Sequence, residues 1–158
     1  MGIEENKASV RMFYDEVWNR GNLSVVDKMT AENFVDHNPP PGATPGREGS
    51  KQTFQMIRAA FPDGLTTIDD IIAEGDKVVV RATMTGTHQG DFMGIPATGK
   101  PVKITGIDVM RFEQGQAVER WGEWDTAGLM QQLGVAPPPP QALETPEESE
   151  TPGEPENE

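Results

Sequence analysis

The chain has 158 residues, no cysteine and a formal charge of −13, from 26 acidic and 13 basic side chains. The acidic excess is uneven, because residues 136–158 hold seven Glu, seven of the 14 Pro and neither Lys nor Arg. No cluster of cations is present to bind nucleic acid or an anionic membrane, since both affinities depend on Lys and Arg near phosphate. The absence of Cys excludes disulfides, thiolate nucleophiles and zinc–thiolate sites.

The composition divides the chain into two regions. Residues 1–135 are enough for one hydrophobic core and too few for two, so we predict a single domain there. Apart from proline, residues 136–158 have only Ala136, Ala142 and Leu143 as aliphatic side chains and no aromatic ones, and we predict a disordered, acidic, Pro-rich tail. No apolar run approaches the roughly 18 residues that span a bilayer, and the first residues lack a secretory pattern. We therefore expect a cytoplasmic protein.

The first part of the chain has helical spacing of apolar residues. One amphipathic helix is predicted from about residue 5 to 20, with Gly21 as its stop. Its apolar positions are Val10, Phe13, Tyr14, Val17 and Trp18. Ser24 and Asp27 resemble a capping box and predict a short second helix.

A proline-rich connection separates these helices from a third one. Proline prevents continuation of regular structure at Pro39–Gly42 and leaves an irregular link to Gly49. Phe54, Ile57 and Phe61 then predict a helix over 49–61.

After residue 64 the apolar period changes from 3.6 to 2, which is typical of strands. The predicted strands are Ile68–Glu74, Lys77–His88, Val102–Glu113 and Gln116–Asp125. A short closing helix is predicted over Thr126–Gly134. Helices followed by a meander of strands indicate an α+β fold with the helices on one face of an antiparallel sheet.

The fourth predicted strand has polar residues and a Trp on each of its faces. One face carries Glu119, Trp121, Glu123 and Asp125, and the other carries Val118, Arg120, Gly122 and Trp124. If the first face lines the interior, its carboxylates lie in an apolar cavity, where an acid is suited to exchange protons with a substrate. If that face is solvated, the two Trp side chains close the ends of the strand. Alternation alone does not choose between these readings.

The two histidines of the chain are candidates for ligand contact. His37 precedes the proline-rich connection, and His88 ends the second predicted strand. No spacing of His residues matches a three-ligand metal site, so we expect no metal.

Seven segments in order resemble the SnoaL-like polyketide cyclase (ester cyclase) family. They are Tyr14–Asn22, Phe34–His37, Ala60–Asp63, Ala73–Val78, Gly86–His88, Gly94–Lys100 and Gln131–Gly134. The resemblance extends from Glu4 to about Val135. It implies the nuclear-transport-factor-like α+β barrel, a cone of three helices and a strongly bent antiparallel sheet around an apolar pocket. It also implies a homodimer that forms through the sheet.

The resemblance implies acid/base chemistry without a cofactor. Cyclases of this family use an aspartate near the end of the last strand in an aldol closure. That position looks like Asp125, or Glu123 if the register slips by two. These cyclases also present a His from the preceding strand, where this chain has none and offers Val109 or Arg111. Arg111 would stabilise an enolate or pair with Glu123.

A second branch of the same fold, the limonene epoxide hydrolases, uses an Asp-Arg-Asp arrangement. Its Arg-x-Asp strand corresponds here to Arg81-Ala82-Thr83. Thr83 cannot replace a carboxylate as a proton acceptor or donor, so epoxide hydrolysis ranks below enolate chemistry.

The sequence therefore predicts a small, cofactor-independent enzyme that acts on an apolar, carbonyl-bearing or polycyclic molecule by aldol cyclase or isomerase-like chemistry. Asp125 and Glu123 are the predicted catalytic residues. The predicted substrate-binding residues are His37, His88, Trp121, Arg111, Phe34 and Tyr14. The alternative from another class is a binding protein that holds an apolar small ligand in the same pocket without chemistry.

Overall fold

The computed structural model describes residues 2–135, and the tail predicted over 136–158 lies outside these residues. The helices are α1 (Ile3–Phe13), α2 (Ser24–Met29), α3 (Arg47–Ala60) and α4 (Thr126–Gln132). The strands are β1 (Thr30–Asp36), β2 (Leu65–Glu74), β3 (Lys77–Thr87), β4 (Pro101–Glu113) and β5 (Gln116–Trp124). The predicted α+β class is confirmed.

The five strands form one open sheet in the order β1-β5-β4-β3-β2. Strands β2 to β5 are the predicted antiparallel meander, whereas β1 pairs in parallel with β5. The sheet is consequently mixed rather than wholly antiparallel, and it does not close into a barrel. Strand β1 was not predicted, because the sequence TAENFVD does not alternate between polar and apolar residues. In the structure its pairing with β5 is also irregular, with a shift of register between Thr30 and Val35.

The first predicted helix is two segments in the structure. Helix α1 continues into a π-helical segment, Tyr14–Asn19, and Gly21 follows two residues later with a φ of +70°. The wider winding of a π-helix changes which side chains share a face, and such segments are frequent at functional sites. Here Tyr14 and Val17 are buried within it.

Alternation along β3 and β4 builds the inner face of the sheet. In β3 the alternate residues Val78, Val80, Ala82 and Met84 are buried. In β4 every even-numbered residue from Val102 to Phe112 is buried. Asp108 is the one charged side chain in that row. A charge in such a position requires partners, because burying an isolated carboxylate is costly.

Among the described residues, no helix is long and apolar enough to cross a membrane.

Candidate active site

A cavity of about 510 Å³ lies between the helices and the inner face of the sheet. Much of its wall is aromatic and aliphatic: Val10, Phe13, Phe34, Phe54, Phe61, Met84, Ile104, Met110, Phe112 and Leu129 contribute. Four polar side chains that line it, Tyr14, Asp36, Asp108 and Arg120, contact one another. We call these four the Arg120 cluster. An apolar cavity with a few convergent polar groups is the usual form of a small-molecule site.

Arg120 lies between two carboxylates. Its Nη1 donates to Asp36 Oδ1 and Oδ2, each at 3.0 Å. Its Nε and Nη2 donate to Asp108 Oδ1 at 3.1 and 2.6 Å. Such charge-assisted hydrogen bonds are stronger than neutral ones and fix the plane of the guanidinium group.

Asp108 receives two further donors, one from a helix and one from the sheet. Tyr14 Oη donates to Asp108 Oδ2 at 2.5 Å, and Trp124 Nε1 donates to Asp108 Oδ1 at 3.2 Å. Four N–H or O–H groups therefore point at this carboxylate.

The surroundings alter how two members of the cluster titrate. Burial raises the pKa of Tyr14 well above its ordinary value, and the charge of Asp108 raises it further. Burial alone would lower the pKa of Arg120, but the charges of Asp108 and Asp36 outweigh it and the pKa of Arg120 is raised. Tyr14 therefore remains protonated and Arg120 remains charged at neutral pH.

The pairing of the strands brings the cluster together. Asp108 on β4 lies opposite Gly122 on β5, which leaves space beside the neighbouring Arg120. The parallel pairing of β1 places Asp36 opposite Arg120 on the other side. Asp36 is held by a turn at the end of β1, in which Asn38 N donates to Asp36 Oδ1 at 2.9 Å.

The structure turns the Arg120, Gly122 and Trp124 face of β5 toward the cavity, and not the face that carries Trp121. Glu123 also lines the cavity, but its side chain is exposed. The sequence alternates Trp and charged residues on both faces, so only the packing of β4 and β1 decides which face is inside. The expected role of Trp121 as a pocket wall is thus corrected.

Asp125 does not line the cavity. Strand β5 ends at Trp124, so the alternation from which an inward Asp125 was expected has stopped before it. The residue instead begins α4, where its Oδ1 accepts a hydrogen bond from Gly128 N at 2.8 Å. This is the ordinary role of Asp at a helix N-cap. The exposed side chain is not positioned to act inside the cavity.

His37 and Arg111 lie on the outer side of the sheet with Trp121. The His37 ring stacks on Trp121 at 4.8 Å between centroids and 7° between planes. His37 Nε2 lies 3.1 Å from Glu119 Oε1, and Arg111 Nε donates to Glu119 Oε2. Hydrogen bonds from Arg111 and His37 lower the pKa of Glu119. Neither His37 nor Arg111 lines the cavity, contrary to the expected substrate contact, and Arg111 pairs with Glu119 rather than Glu123.

His88 is fully buried and does not line the cavity. Thr98 N donates to His88 Nδ1 at 3.2 Å, and Thr98 Oγ1 lies 3.0 Å from the same nitrogen. His88 therefore fixes the base of the loop between β3 and β4 rather than the mouth of the cavity. Of the predicted binding residues, Tyr14 and Phe34 do line the cavity.

The SnoaL-like polyketide cyclase family profile matches residues 8–133. The chain belongs to this family. TsrD from Streptomyces laurentii shares the fold at 29% identity with a TM-score of 0.79, covering 86% of this chain and 99% of that protein. None of the curated proteins matches the sequence.

Two further Streptomyces proteins share the SnoaL-like fold of this chain. AclR from Streptomyces galilaeus, a proposed hydroxylase, is 31% identical with a TM-score of 0.76, over 86% of this chain and all of its own. IdmH from Streptomyces antibioticus, a proposed polyketide cyclase, is 35% identical with a TM-score of 0.72, over 82% of this chain and 99% of its own. The family and its solved structures support a small-molecule enzyme of cyclase or isomerase type, without specifying substrate or reaction.

Sequence reasoning on this SnoaL-like chain missed Asp36, Asp108 and Arg120 as site residues. Asp108 had a local signal, since it interrupts an otherwise apolar or Gly row at 102, 104, 106, 110 and 112. Asp36 had no such signal, because its inward position depends on the parallel pairing of β1 with β5. In residues 2–135 no three His, Asp or Glu side chains are grouped to hold a metal ion.

Proposed function

We propose that this SnoaL-like protein is a cofactor-independent enzyme that enolises an apolar, carbonyl-bearing substrate in its cavity and so promotes aldol cyclisation or isomerisation. The observation that carries the proposal is the pair of carboxylates around one guanidinium in an apolar wall. Asp36, Arg120 and Asp108 hold two negative charges and one positive charge when all are ionised. Uptake of one proton removes the excess charge from a poorly solvated site.

Asp36 is the proposed proton acceptor. Within residues 2–135, its two oxygens accept hydrogen bonds from Arg120 Nη1 and Asn38 N only, whereas Asp108 accepts from Tyr14, Trp124 and two nitrogens of Arg120. Asp36 has fewer of its acceptor sites occupied, so it is better placed to accept a proton from a substrate. Asp108 then acts as a positioning residue for Arg120 and Tyr14.

The proposed step moves one proton and one electron pair. Asp36 takes a proton from the carbon next to the substrate carbonyl, and the C–H electrons form the enolate. The negative charge on the enolate oxygen is stabilised by Arg120, which costs no reorganisation because Asp36 and Asp108 already hold the guanidinium. The enolate carbon then forms a C–C bond to a second carbonyl carbon, whose oxygen takes up the proton, or it is reprotonated to give an isomer.

The experiment follows exchange of α-protons on apolar β-keto esters and aromatic polyketones in D₂O by NMR. The wild-type chain is expected to accelerate exchange over buffer, and Asp36→Asn is expected to reduce that acceleration by about 10²-fold or more, in line with the usual contribution of a general base. Equal exchange by wild type and Asp36→Asn would overturn the proposed base.

The rival function is binding of an apolar ligand without chemistry, since the same aromatic wall suits either role. It predicts saturable binding of these compounds, measured by Trp fluorescence, with no acceleration of exchange. Trp124→Phe should then weaken binding, while Asp36→Asn should leave it unchanged.

A specific observation also keeps epoxide hydrolysis as a second candidate. Asp36, Arg120 and Asp108 form an acid–Arg–acid arrangement. The strand that carries Arg81 does not contribute to it, because Arg81 pairs with Asp70 on the exposed face of the sheet. Hydrolysis of an apolar cyclic epoxide to a diol, without α-proton exchange in ketones, would favour this candidate.

A further inference from the structure

Two glycines lie on the inner side of neighbouring strands, each paired directly with a larger residue, and one of them, Gly122, lines the cavity. Gly106 on β4 lies opposite Trp124 on β5, and Gly122 on β5 lies opposite Asp108 on β4. Glycine weakens a strand interior, and its presence there often marks a close approach by another group. Neither glycine has the positive φ that would explain it by backbone conformation.

Gly122 provides the space that Arg120 and Asp108 occupy. A Cβ at this position would lie 2.0 Å from Arg120 Nη2 and 2.5 Å from Asp108 Oδ1. The ion pair is therefore packed against the bare Cα of Gly122. Any side chain here would displace at least one of the two groups.

Gly106 does the same for Trp124. A Cβ on Gly106 would lie 2.1 Å from Trp124 Cδ2 and 2.5 Å from Cε2. The indole therefore packs against the bare Cα of Gly106, with its Nε1 3.2 Å from Asp108 Oδ1. The two glycines thus flank Asp108 and admit both of its donors from β5.

We propose that Gly122 and Gly106 are positioning residues of the active site, forming a glycine notch that directs Arg120 and Trp124 onto Asp108. Their role in turnover rests on the proposed function of the Arg120 cluster, but their role in its geometry does not. The two positions differ in mechanical terms. Arg120 meets Gly122 with the far end of a flexible side chain, whereas Trp124 meets Gly106 with a rigid ring.

This difference predicts different effects of alanine. Gly122→Ala should move the guanidinium while leaving the fold largely intact. Gly106→Ala should also lower the melting temperature, because the indole cannot bend away from the new methyl group. Gly46→Ala is the matched control, since a Cβ there has nothing within 4 Å.

The geometric test is the Nε–H cross-peak of Arg120 in ¹H–¹⁵N spectra, assigned by its loss in Arg120→Lys. Gly122→Ala is expected to shift this peak or to broaden it, and Gly46→Ala is expected to leave it in place. An unchanged peak in folded Gly122→Ala would overturn the proposal.

A thermodynamic cycle covers the case in which Gly122→Ala folds poorly. In an Arg120→Ala background the added methyl group no longer meets the guanidinium, so the fold-change in the folding equilibrium constant caused by Gly122→Ala should be smaller. Additive effects of the two substitutions would contradict the notch.

Turnover separates this inference from the proposed function. If Gly122→Ala shifts the Arg120 peak and lowers kcat by roughly 10²-fold with little change in KM, both hold. If the peak moves and α-proton exchange is unaffected, the geometric inference stands and the proposed function fails.

Discussion

Tyr14 donates a 2.5 Å hydrogen bond to Asp108, although 94 positions separate the two residues in the chain. The bond joins the π-helical segment to the inner face of β4 and fixes one end of the Arg120 cluster. Tyr14 is the only tyrosine in the sequence, so any signal from a phenol group reports on this contact alone.

The ionisation of Tyr14 should be shifted upward and should depend on Asp108. Burial and the Asp108 charge raise the pKa of Tyr14 above its ordinary value of 10.0. Asp108→Asn removes the charge but not the burial, so it should lower the pKa of Tyr14 while leaving it above 10.0. The absorbance of tyrosinate near 295 nm against pH measures both midpoints.

Asp125→Asn is the control for this titration, because Asp125 contacts Gly128 at the start of α4 instead of the cluster. The midpoint of the Tyr14 titration in Asp125→Asn should match that in the wild type. An equal shift in both variants would mean that the phenol responds to general destabilisation.

The free energy of unfolding should fall as the pH rises above 10, and the contribution of Tyr14 to this fall should be absent in Tyr14→Phe. Between the unfolded pKa near 10 and the higher folded pKa, the unfolded chain has released the phenol proton while the folded chain retains it. The free energy of unfolding therefore decreases above pH 10, by up to about 1.4 kcal/mol per pH unit from this one group.

Urea unfolding at several pH values between 8 and 11 measures this dependence. The difference in unfolding free energy between wild type and Tyr14→Phe should shrink as the pH rises. Parallel curves would show that Tyr14 is not held in its protonated form by the fold.

Removal of the shared cation should destabilise the fold. Arg120→Met leaves Asp36 and Asp108 buried without their counter-charge, and breaking a buried pair in this way costs about 3–5 kcal/mol. The cost should decrease when Asp36→Asn is added, since only one unpaired charge then remains. Denaturant unfolding of the single and double variants measures both effects.

Arg111→Met is the matched control, because Arg111 pairs with Glu119 and Glu113 on the outer side of the sheet. It should change stability less than Arg120→Met, because Glu119 and Glu113 are more exposed than Asp36 and Asp108 and are better solvated when left unpaired. If Arg111→Met were more destabilising than Arg120→Met, the account of Arg120 as the cation that stabilises the fold would be contradicted.

The inner face of the sheet is partly predictable from sequence, because in some strands the alternation of residues alone identifies the buried side. In β3, aliphatic residues alternate with polar ones, so Val78, Val80 and Ala82 identify the buried face without knowledge of the neighbours. In β5 each face has a Trp and a charged residue. Only the space left by Gly106 and the carboxylate of Asp108 determines that Trp124 and Arg120 turn inward.

The remaining site residues depend on contacts between distant parts of the chain. Asp36 contacts Arg120 because β1 pairs in parallel with β5. The residues of β1 show no periodic pattern from which that pairing could be predicted. Asp125 shows the opposite error, in which a strand pattern was extended one residue too far. The structure ends the strand and uses the carboxylate to cap α4.

We also propose a homodimer through the outer face of the sheet. A row of directly paired apolar residues crosses four strands on this face: Ile72, Val79, Val109 and Trp121. The side chain of Ile72 is 64% exposed. Neighbouring Ile107 is 48% exposed. An exposed apolar row of this extent favours a contact with another surface.

Sedimentation velocity tests this assembly. The wild-type chain should sediment as a dimer and Ile107→Glu as a monomer. Met12→Glu is the control, because it alters an exposed apolar side chain on α1, outside the sheet. A monomeric wild type would contradict the proposal.

The position of the catalytic base is tested most directly by comparing Asp36→Asn with Asp125→Asn on the same β-keto ester in D₂O. We predict that Asp36→Asn loses about 10²-fold or more of the enzyme-dependent α-proton exchange, whereas Asp125→Asn retains it. Loss of exchange in Asp125→Asn with full exchange in Asp36→Asn would contradict the assignment of the active site to the Arg120 cluster.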